Sequence, residues 1–193
     1  GYIGGRLIPE LLQAGYRVRV LARNADRLKY QPWLSQVEVS EGDANDSETV
    51  AASLQKVDVA FYLLHALMAK DDFESKEAKL AKIFASAAKA QQVRRIVYLG
   101  GIISPSSELS PHLKSRADTG DILRHSGVPT IELRAGVVIG SGSASFEMLR
   151  YLTERLPFMI TPKWLNVRIQ PIAVRDVLRY LIGAAAIDSN ISG

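Results

Sequence analysis

Gly1-Tyr2-Ile3-Gly4-Gly5 is the stretch that decides the fold, because a helical pattern follows its glycines at once. In that pattern Leu7, Ile8, Leu11 and Leu12 recur on one face of a helix. Glycines before a helix let the backbone approach a phosphate, and the helix N-terminus adds free N–H groups and positive potential. The stretch therefore indicates the second half of a phosphate-binding turn, although a plain turn would carry the same glycines.

The glycine spacing also predicts what precedes residue 1. Gly1 and Gly4 fit the second and third glycines of G-x-x-G-x-x-G, a spacing found in dinucleotide-binding turns. The first glycine, and the buried strand that leads to it, would then lie upstream. We expect that strand at the centre of a sheet, where its removal exposes the edges of two neighbours. The 193 residues alone are therefore expected to be poorly soluble or only marginally folded.

Composition limits the class of protein. With 193 residues and 47% hydrophobic content, we predict one globular domain over 1–193, incomplete at the N-terminus and at the C-terminus. The apolar stretches are shorter than the ~20 residues that a membrane span requires. No cysteine is present, which excludes disulfides, thiol catalysis and thiolate metal sites and suits a cytoplasmic location. We predict no metal site.

The charge pattern bears on partners. The net charge is +4, and the basic residues are scattered without interleaved aromatic side chains. The pattern favours a small anionic ligand over a nucleic acid. The predicted partners are therefore a dinucleotide and a small-molecule substrate, and the sequence leaves the oligomeric state open.

Short apolar runs alternate with helical patterns along the chain, which is typical of βαβ units around a parallel sheet. Strands are predicted at 16–22, 37–39, 57–64, 96–99 and 129–139. Besides the helix after the first glycines, helices are predicted near 71–92, 110–125, 143–156 and 173–186. The pattern predicts a doubly wound, Rossmann-like α/β sheet that is truncated at its N-terminus, with substrate-side segments near 141–171.

Two residues at predicted strand ends indicate which dinucleotide binds. Arg23 closes the strand 16–22, where NAD-preferring domains carry an acidic residue. A guanidinium at that position can hold a 2′-phosphate, and the alternative is a solvated arginine. Asp43 is placed to accept a hydrogen bond from an adenine amino group, or else to cap the next helix. The predicted cofactor is NADP(H), with NAD(H) also possible.

The predicted cofactor contacts lie in the first turn and at strand ends. They are Gly1, Tyr2, Ile3, Gly4, Arg23, Asp43, Ala44, Leu64, His65, Gly100 and Gly101. His65 either lines the nicotinamide pocket or is a loop histidine without such a role. The predicted substrate contacts are Arg134, Ser141, Ser143, Trp164 and Arg168. The loop around Ser141 either presents N–H groups to an anion or forms a turn with a serine cap.

These features together resemble the short-chain dehydrogenase/reductase superfamily, in its extended or atypical branch. The matching stretches are 1–4, 21–23, 42–44, 97–101, 133–140 and 170–177. The chain looks most like bacterial NAD(P)-binding proteins labelled nucleoside-diphosphate-sugar epimerases. It is also similar to NmrA-type regulators and to the Rossmann-like accessory subunit of respiratory complex I.

The resemblance implies a catalytic Ser and a Tyr-x-x-x-Lys pair, and this chain departs from both. His112 stands where the Tyr belongs, Arg116 where the Lys belongs, and Gly100 or Gly101 where the Ser belongs. A histidine can deliver a proton near neutral pH, whereas an arginine can grip ribose hydroxyls but cannot share its protons. We predict His112 and Arg116 as the catalytic pair. The alternatives are a helix-start histidine beside an exposed arginine, and a cofactor contact.

Two function classes follow from this reading of the sequence. The first is an NADPH-dependent oxidoreductase of a small molecule with a degenerate triad. The second is a non-catalytic sensor or assembly module that binds NADP(H), which the missing triad favours. A sugar-nucleotide epimerase or dehydratase ranks third, because that chemistry depends strongly on the Tyr/Lys pair that this chain lacks.

Overall fold

The computed structural model describes residues 1–64, 73–103, 110–155, 170–187 and 191. The helices are α1 (Tyr2–Gln13), α2 (Ser47–Ser53), α3 (Phe73–Ala90), α4 (Pro111–Arg124), α5 (Ala144–Arg155) and α6 (Val174–Ala186). The strands are β1 (Arg19–Ala22), β2 (Glu38–Glu41), β3 (Val59–Tyr62), β4 (Arg95–Gly101), β5 (Thr130–Ala135), β6 (Val138–Ile139) and β7 (Ile172–Ala173). Short 3-10 turns at Ala25–Leu28 and Leu34–Gln36 connect β1 to β2.

Every strand pair in the described residues is parallel. β1 pairs with β2, β4 lies between β3 and β5, and β6 pairs with β7. Because parallel neighbours need crossover connections, helices cover both faces of the sheet. The predicted doubly wound α/β architecture is confirmed.

The alternation of side chains along β4 separates two hydrophobic cores. Ile96 and Tyr98 face a core built with α2, α3 and α4. Val97 points the other way, into a core with Leu7 of α1 and Leu181 of α6. This period of two is the strand geometry expected for a sheet buried on both faces. All three β4 residues are fully buried, so the strand occupies the centre of the molecule.

The sheet is divided between β1 and β3, which are not paired with each other in the described part of the chain. The strand predicted upstream of residue 1 stays a prediction.

The strand predicted at 129–139 is in fact two strands. Gly136 lies between β5 and β6, and a Cβ at this glycine would overlap the backbone carbonyl of Gln170. The close approach of the 170–173 backbone redirects the chain, and Ile172 then pairs with Val138. The β6–β7 pair was not predicted, because two-residue strands carry no periodic signal.

The described helices also bear on a membrane location. None of them is both long and apolar enough to span a bilayer.

Candidate functional site

The N-terminus of α1 is open to a ligand. Gly1 is the N-cap, no described side chain caps the helix, and no acidic residue lies in its first turn. The first N–H groups of a helix have no partner within the helix, so these donors are available to an anion. A Cβ at Gly1 or Gly5 would meet nothing within 4 Å in the part of the chain that the structure describes. The glycines therefore leave space above the helix end, and the start of α1 fits a phosphate group.

Two of the predicted cofactor residues, Ile3 and Ala44, have apolar side chains that pack against the hydrophobic cores. Ile3 packs into the core shared with α6, so only its backbone belongs to the first turn. Ala44 is partly buried against the opposite core, beyond the end of β2. Neither side chain offers a polar group, and any contact they make to a dinucleotide is through backbone or apolar surface.

Arg23 and Asp43 follow the adjacent strands β1 and β2. Arg23 is exposed, and its guanidinium has no hydrogen-bond or ion-pair partner among the described residues. Asp43 Oδ1 accepts from the backbone N and the Nδ2 of Asn45, both at 2.9 Å. These hydrogen bonds, with a smaller contribution from the charge of Arg23, lower the pKa of Asp43. At this sheet edge, Asp43 therefore presents an ionised carboxylate, and Arg23 presents a cation that has no hydrogen-bond or ion-pair partner among the described residues.

The cap of α2 bears on the interpretation of Asp43 as a helix cap. Asp46 accepts from the N–H groups of Glu48 and Thr49, both at 3.2 Å, and is the N-cap of α2. The helix start therefore does not need Asp43. A Cβ at Gly42 would overlap Thr49, so a glycine is required where β2 runs into this turn.

Arg116 holds the ends of two strands. Its Nη2 donates to the carbonyl of Leu99 and its Nη1 to the carbonyl of Leu64 at 3.5 Å. Its guanidinium carbon lies 4.9 Å from the ring centre of Tyr98. The side chain predicted to grip ribose hydroxyls thus already stabilises the carboxyl ends of β3 and β4. The carbonyl of Leu64 faces Arg116, and the residue as a whole is 39% exposed.

His112 lies on the first turn of α4, where Ser110 Oγ accepts from the N–H of Leu113. His112 is exposed, and it shares a helix face with Arg116 because the two are four residues apart. Lys114, the other nearby cation, pairs with Glu74 on α3 at 3.2 Å. The first turn of α4 therefore places an exposed imidazole one helical turn before Arg116.

A buried carboxylate occupies the space beside Gly100. A Cβ at Gly100 would lie 2.7 Å from Glu132 Oε1, and one at Gly120 would lie 2.8 Å from the same atom. The Glu132 side chain is 3% exposed and accepts from Arg134 Nε and Nη2 at 3.1 Å. Arg124 Nη1 donates to Oε2, which also accepts from Arg134 Nη2. Gly101, by contrast, has room for a Cβ, which would meet Leu113 at 3.4 Å.

Glu132 lies beside the candidate site and was not predicted from the sequence. The alternation of Glu132 and Arg134 within an apolar strand was the available signal. Arg134, which was predicted as a substrate contact, is half exposed. Its Nε and Nη2 both donate to the Glu132 carboxylate. The guanidinium thereby has a fixed orientation at the end of β5.

The loop after β6 joins the first turn of α1. The carbonyl of Ser141 accepts from Tyr2 Oη at 3.2 Å and from Arg6 Nη2 at 2.7 Å. The Ser143 hydroxyl donates to the Val138 carbonyl and accepts from the N–H of Phe146, both at 3.2 Å. Ser143 therefore acts as the serine cap of α5, and its hydroxyl bonds to backbone groups.

Three predicted site residues, His65, Trp164 and Arg168, lie outside the residues that the structure describes. In the described part, a cavity of about 230 Å³ opens at the ends of β4 and β5. It is lined by Leu99, Leu133, Arg134, Ala135, Ile172, Val177 and Tyr180. This largely apolar cavity lies next to the strand ends that carry Gly100 and Arg134.

A protein-family model described as NAD(P)H-binding matches residues 1–143. No curated protein sequence matches the chain.

Solved structures share the fold at low sequence identity. Citrobacter sp. triphenylmethane reductase complexed with NADP(H) superposes with a TM-score of 0.62 at 22% identity, covering 80% of this chain and 52% of that one. NADPH-dependent quinone oxidoreductase QOR2 from Escherichia coli, complexed with NADPH, gives 0.60 at 21% identity, covering 72% and 47%. MoeE5 in complex with UDP-glucuronic acid and NAD gives 0.76 at 19% identity, covering 97% and 70%. The chain thus spans about half the length of the two reductases.

Proposed function

The chain belongs to the NAD(P)H-binding family, and from that membership we propose that it is an NADPH-dependent oxidoreductase acting on a small molecule. One observation carries the choice of NADPH. Arg23 places a guanidinium without a described partner at the end of β1, and the first N–H groups of α1 have no described side-chain cap. Two anionic groups of one ligand, a pyrophosphate and a 2′-phosphate, match these two positive sites.

The other side of the adenosine fits Asp43. Its carboxylate is ionised and has one oxygen outside the turn with Asn45, so it can accept from an amino group. A positively charged side chain favours the 2′-phosphate of NADPH, whereas an acidic side chain at the position of Arg23 would favour a ribose hydroxyl of NADH. The preference we propose therefore rests on Arg23.

The chemistry divides between cofactor and protein. Bound NADPH supplies a hydride, which is two electrons and one proton, to an electrophilic atom of the substrate. We assign the second proton to the His112 imidazolium, which would give it to the substrate atom that gains negative charge. The cavity beside Leu99 and Leu133 would hold the apolar part of the substrate and exclude water. Arg116 would act by keeping the ends of β3 and β4 together.

The cofactor assignment is tested by calorimetric titration of NADPH and NADH into the parent protein and Arg23→Ala. We expect the parent to prefer NADPH and Arg23→Ala to lose roughly tenfold to hundredfold in NADPH affinity, the range for a charge-assisted hydrogen bond. NADH affinity should stay the same. Arg27→Ala is the matched control, because Arg27 is exposed on the turn that follows. Equal affinity for both dinucleotides in the parent would refute the proposed preference.

Turnover is tested by following NADPH oxidation with quinones, triarylmethane dyes, aldehydes and ketones. The first two classes are included because a quinone oxidoreductase and a triphenylmethane reductase share the fold. With an accepted substrate, His112→Gln should lower kcat by roughly a hundredfold or more, the usual contribution of a general acid. Unchanged kcat would remove His112 from the mechanism.

A second candidate function is a non-catalytic module that binds NADP(H) as a sensing or structural ligand. The observation that favours it is the use of Arg116 by two backbone carbonyls. In addition, Glu132 fills the space beside Gly100, which is one of the two glycines at the predicted serine position. NADPH binding without oxidation by any member of the substrate panel would support this candidate. Oxidation of NADPH by one substrate class would refute it.

A further inference from the structure

Arg6 links the first turns of α1 to the loop on the substrate side. Its Nη2 donates to the carbonyl of Ser141 at 2.7 Å, and its guanidinium carbon lies 4.0 Å from the ring centre of Tyr2. The Tyr2 hydroxyl donates to the same carbonyl at 3.2 Å. Two side chains from one helix therefore converge on one backbone oxygen that is more than a hundred residues away in the sequence.

The loop is shaped to receive these side chains. A Cβ at Gly140 would overlap both the Tyr2 hydroxyl and Val174, so a glycine is needed for this approach. Gly142 has φ of 76°, a left-handed conformation that glycine adopts without strain. Both glycines thus serve one geometry, the placement of the Ser141 carbonyl against α1.

The contact continues from the loop into α5. The N–H of Gly142 donates to Glu147 Oε1 at 3.0 Å, and Glu147 Oε2 accepts from Arg150. Ser143 caps the same helix through the N–H of Phe146. A short chain of hydrogen bonds therefore runs from Arg6 through Ser141 and Gly142 to the first turns of α5.

We propose that Arg6 is a positioning residue that, with Tyr2, couples occupation of the dinucleotide turn to the placement of the substrate-side segment 140–155. The inference rests on the proposed function, because the same helix turn is assigned to the pyrophosphate. Arg6 lies on the second turn of α1 and acts through the Ser141 carbonyl rather than on the substrate. A ligand that fixes the first turn of α1 then also fixes Tyr2 and Arg6, and with them the loop and α5. Coupling of this kind is reciprocal, so substrate bound on the far side would tighten NADPH binding.

Hydrogen exchange measured with and without NADPH tests the proposal at two segments, 2–13 and 141–155. In the parent we expect NADPH to slow exchange in both segments. In Arg6→Met, which keeps the aliphatic stem and removes the guanidinium, slowing should persist at 2–13. At 141–155 it should fall by roughly fivefold or more, the lower end of typical coupling. Arg6→Lys should recover part of the effect, because it retains one cationic donor.

Tyr2→Phe is a second, milder variant that removes only the hydroxyl contact to Ser141. It should weaken the effect at 141–155 in the same direction as Arg6→Met. Arg17→Met is the matched control, because Arg17 is exposed at the end of the connection before β1 and should behave as the parent.

The outcomes separate this inference from the proposed function. Equal NADPH-dependent slowing at 141–155 in the parent and Arg6→Met would overturn the positioning role. Loss of slowing at both segments in Arg6→Met would also overturn it, because Arg6 would then bind the dinucleotide directly. No slowing at either segment of the parent would refute NADPH binding itself, and the coupling with it.

Discussion

Tyr98 contacts Arg116 twice, once at its backbone carbonyl and once at its guanidinium. The Tyr98 hydroxyl donates to the Arg116 carbonyl at 3.0 Å, and the Arg116 guanidinium lies over the Tyr98 ring. Because Arg116 also donates to the Leu99 carbonyl, α4 is fixed to the carboxyl end of β4 at three points. Burial raises the pKa of Tyr98 to about 12, so its hydroxyl stays protonated and remains a donor at neutral pH.

Tyr98→Phe removes one of these contacts without changing the shape of the ring. We expect it to lower the free energy of unfolding by about 1 kcal/mol, the typical net contribution of one hydrogen bond. Urea unfolding followed by circular dichroism measures this difference. Tyr151→Phe, at an exposed tyrosine of α5, should unfold like the parent. A loss of the same size in both variants would contradict the assigned role of the buried hydroxyl.

The two glycines at the end of β4 should differ sharply when replaced by serine. Gly100→Ser places a Cβ against Glu132 and against the Tyr98 ring, at 2.7 and 3.2 Å, and should cost about 1–3 kcal/mol through overpacking. Among the described residues, a Cβ at Gly101 meets only Leu113, at an ordinary contact distance, so Gly101→Ser should be tolerated. Thermal unfolding of the two variants decides this. A Gly100→Ser protein as stable as Gly101→Ser would show that Glu132 moves aside easily.

Arg95 anchors the C-terminal end of α6 from the first residue of β4. Its side chain is almost fully buried and donates to the carbonyls of Ala184, Ile187 and Ile191. Arg95→Met should lower the free energy of unfolding by roughly 1.5–3 kcal/mol, because a charged donor to these carbonyls is lost. Hydrogen exchange in the last turn of α6 should also accelerate. Its exposed neighbour gives the control, since Arg94→Met should leave both measurements unchanged.

Asp46 makes stability depend on acid pH. Its pKa is lowered, first by the hydrogen bond from the Thr49 hydroxyl and then by the N–H of Glu48. A carboxyl whose pKa is lower in the folded state stabilises the protein above its ordinary pKa, and that contribution is lost as the pH falls through the folded value. The melting temperature of the parent should therefore fall more steeply than that of Asp46→Asn between about pH 5 and pH 2.

The control for this pH series is Asp58→Asn, at an exposed carboxylate before β3. Its melting temperature should follow the parent at every pH. Parallel profiles for the parent and Asp46→Asn would contradict the contribution of the ionised cap.

Most of the helices and strands could be predicted from the sequence, because local patterns specify these elements. The apolar runs at 57–64 and 96–99 and the helical period near 71–92 predicted β3, β4 and α3 within a few residues. The β6–β7 pair and the contact of Arg6 with Ser141 were beyond reach, since they join residues far apart in the chain. No pattern within one element encodes which distant backbone it touches.

The candidate site was predicted in part for the same reason. Arg23 and Asp43 are where the ends of β1 and β2 place them, and the structure leaves the guanidinium free among the described residues. Arg116 stands on the expected helix, yet its guanidinium is directed at backbone carbonyls by the burial of Tyr98 beneath it. Position follows from the element, whereas orientation follows from neighbours that only the folded chain supplies.

The contact between Gly100 and Glu132 has a consequence for how such a sequence can evolve. A side chain at position 100 and the long carboxylate at position 132 compete for one volume, which Gly120 also leaves open. A serine at position 100 and a glutamate at position 132 are therefore mutually exclusive without repacking. Among relatives of this chain, a change at one of these positions should be accompanied by a change at the other. Loss of a side chain at position 100 and gain of the glutamate at position 132 would then be one linked change, which a comparison of relatives at positions 100, 120 and 132 would test.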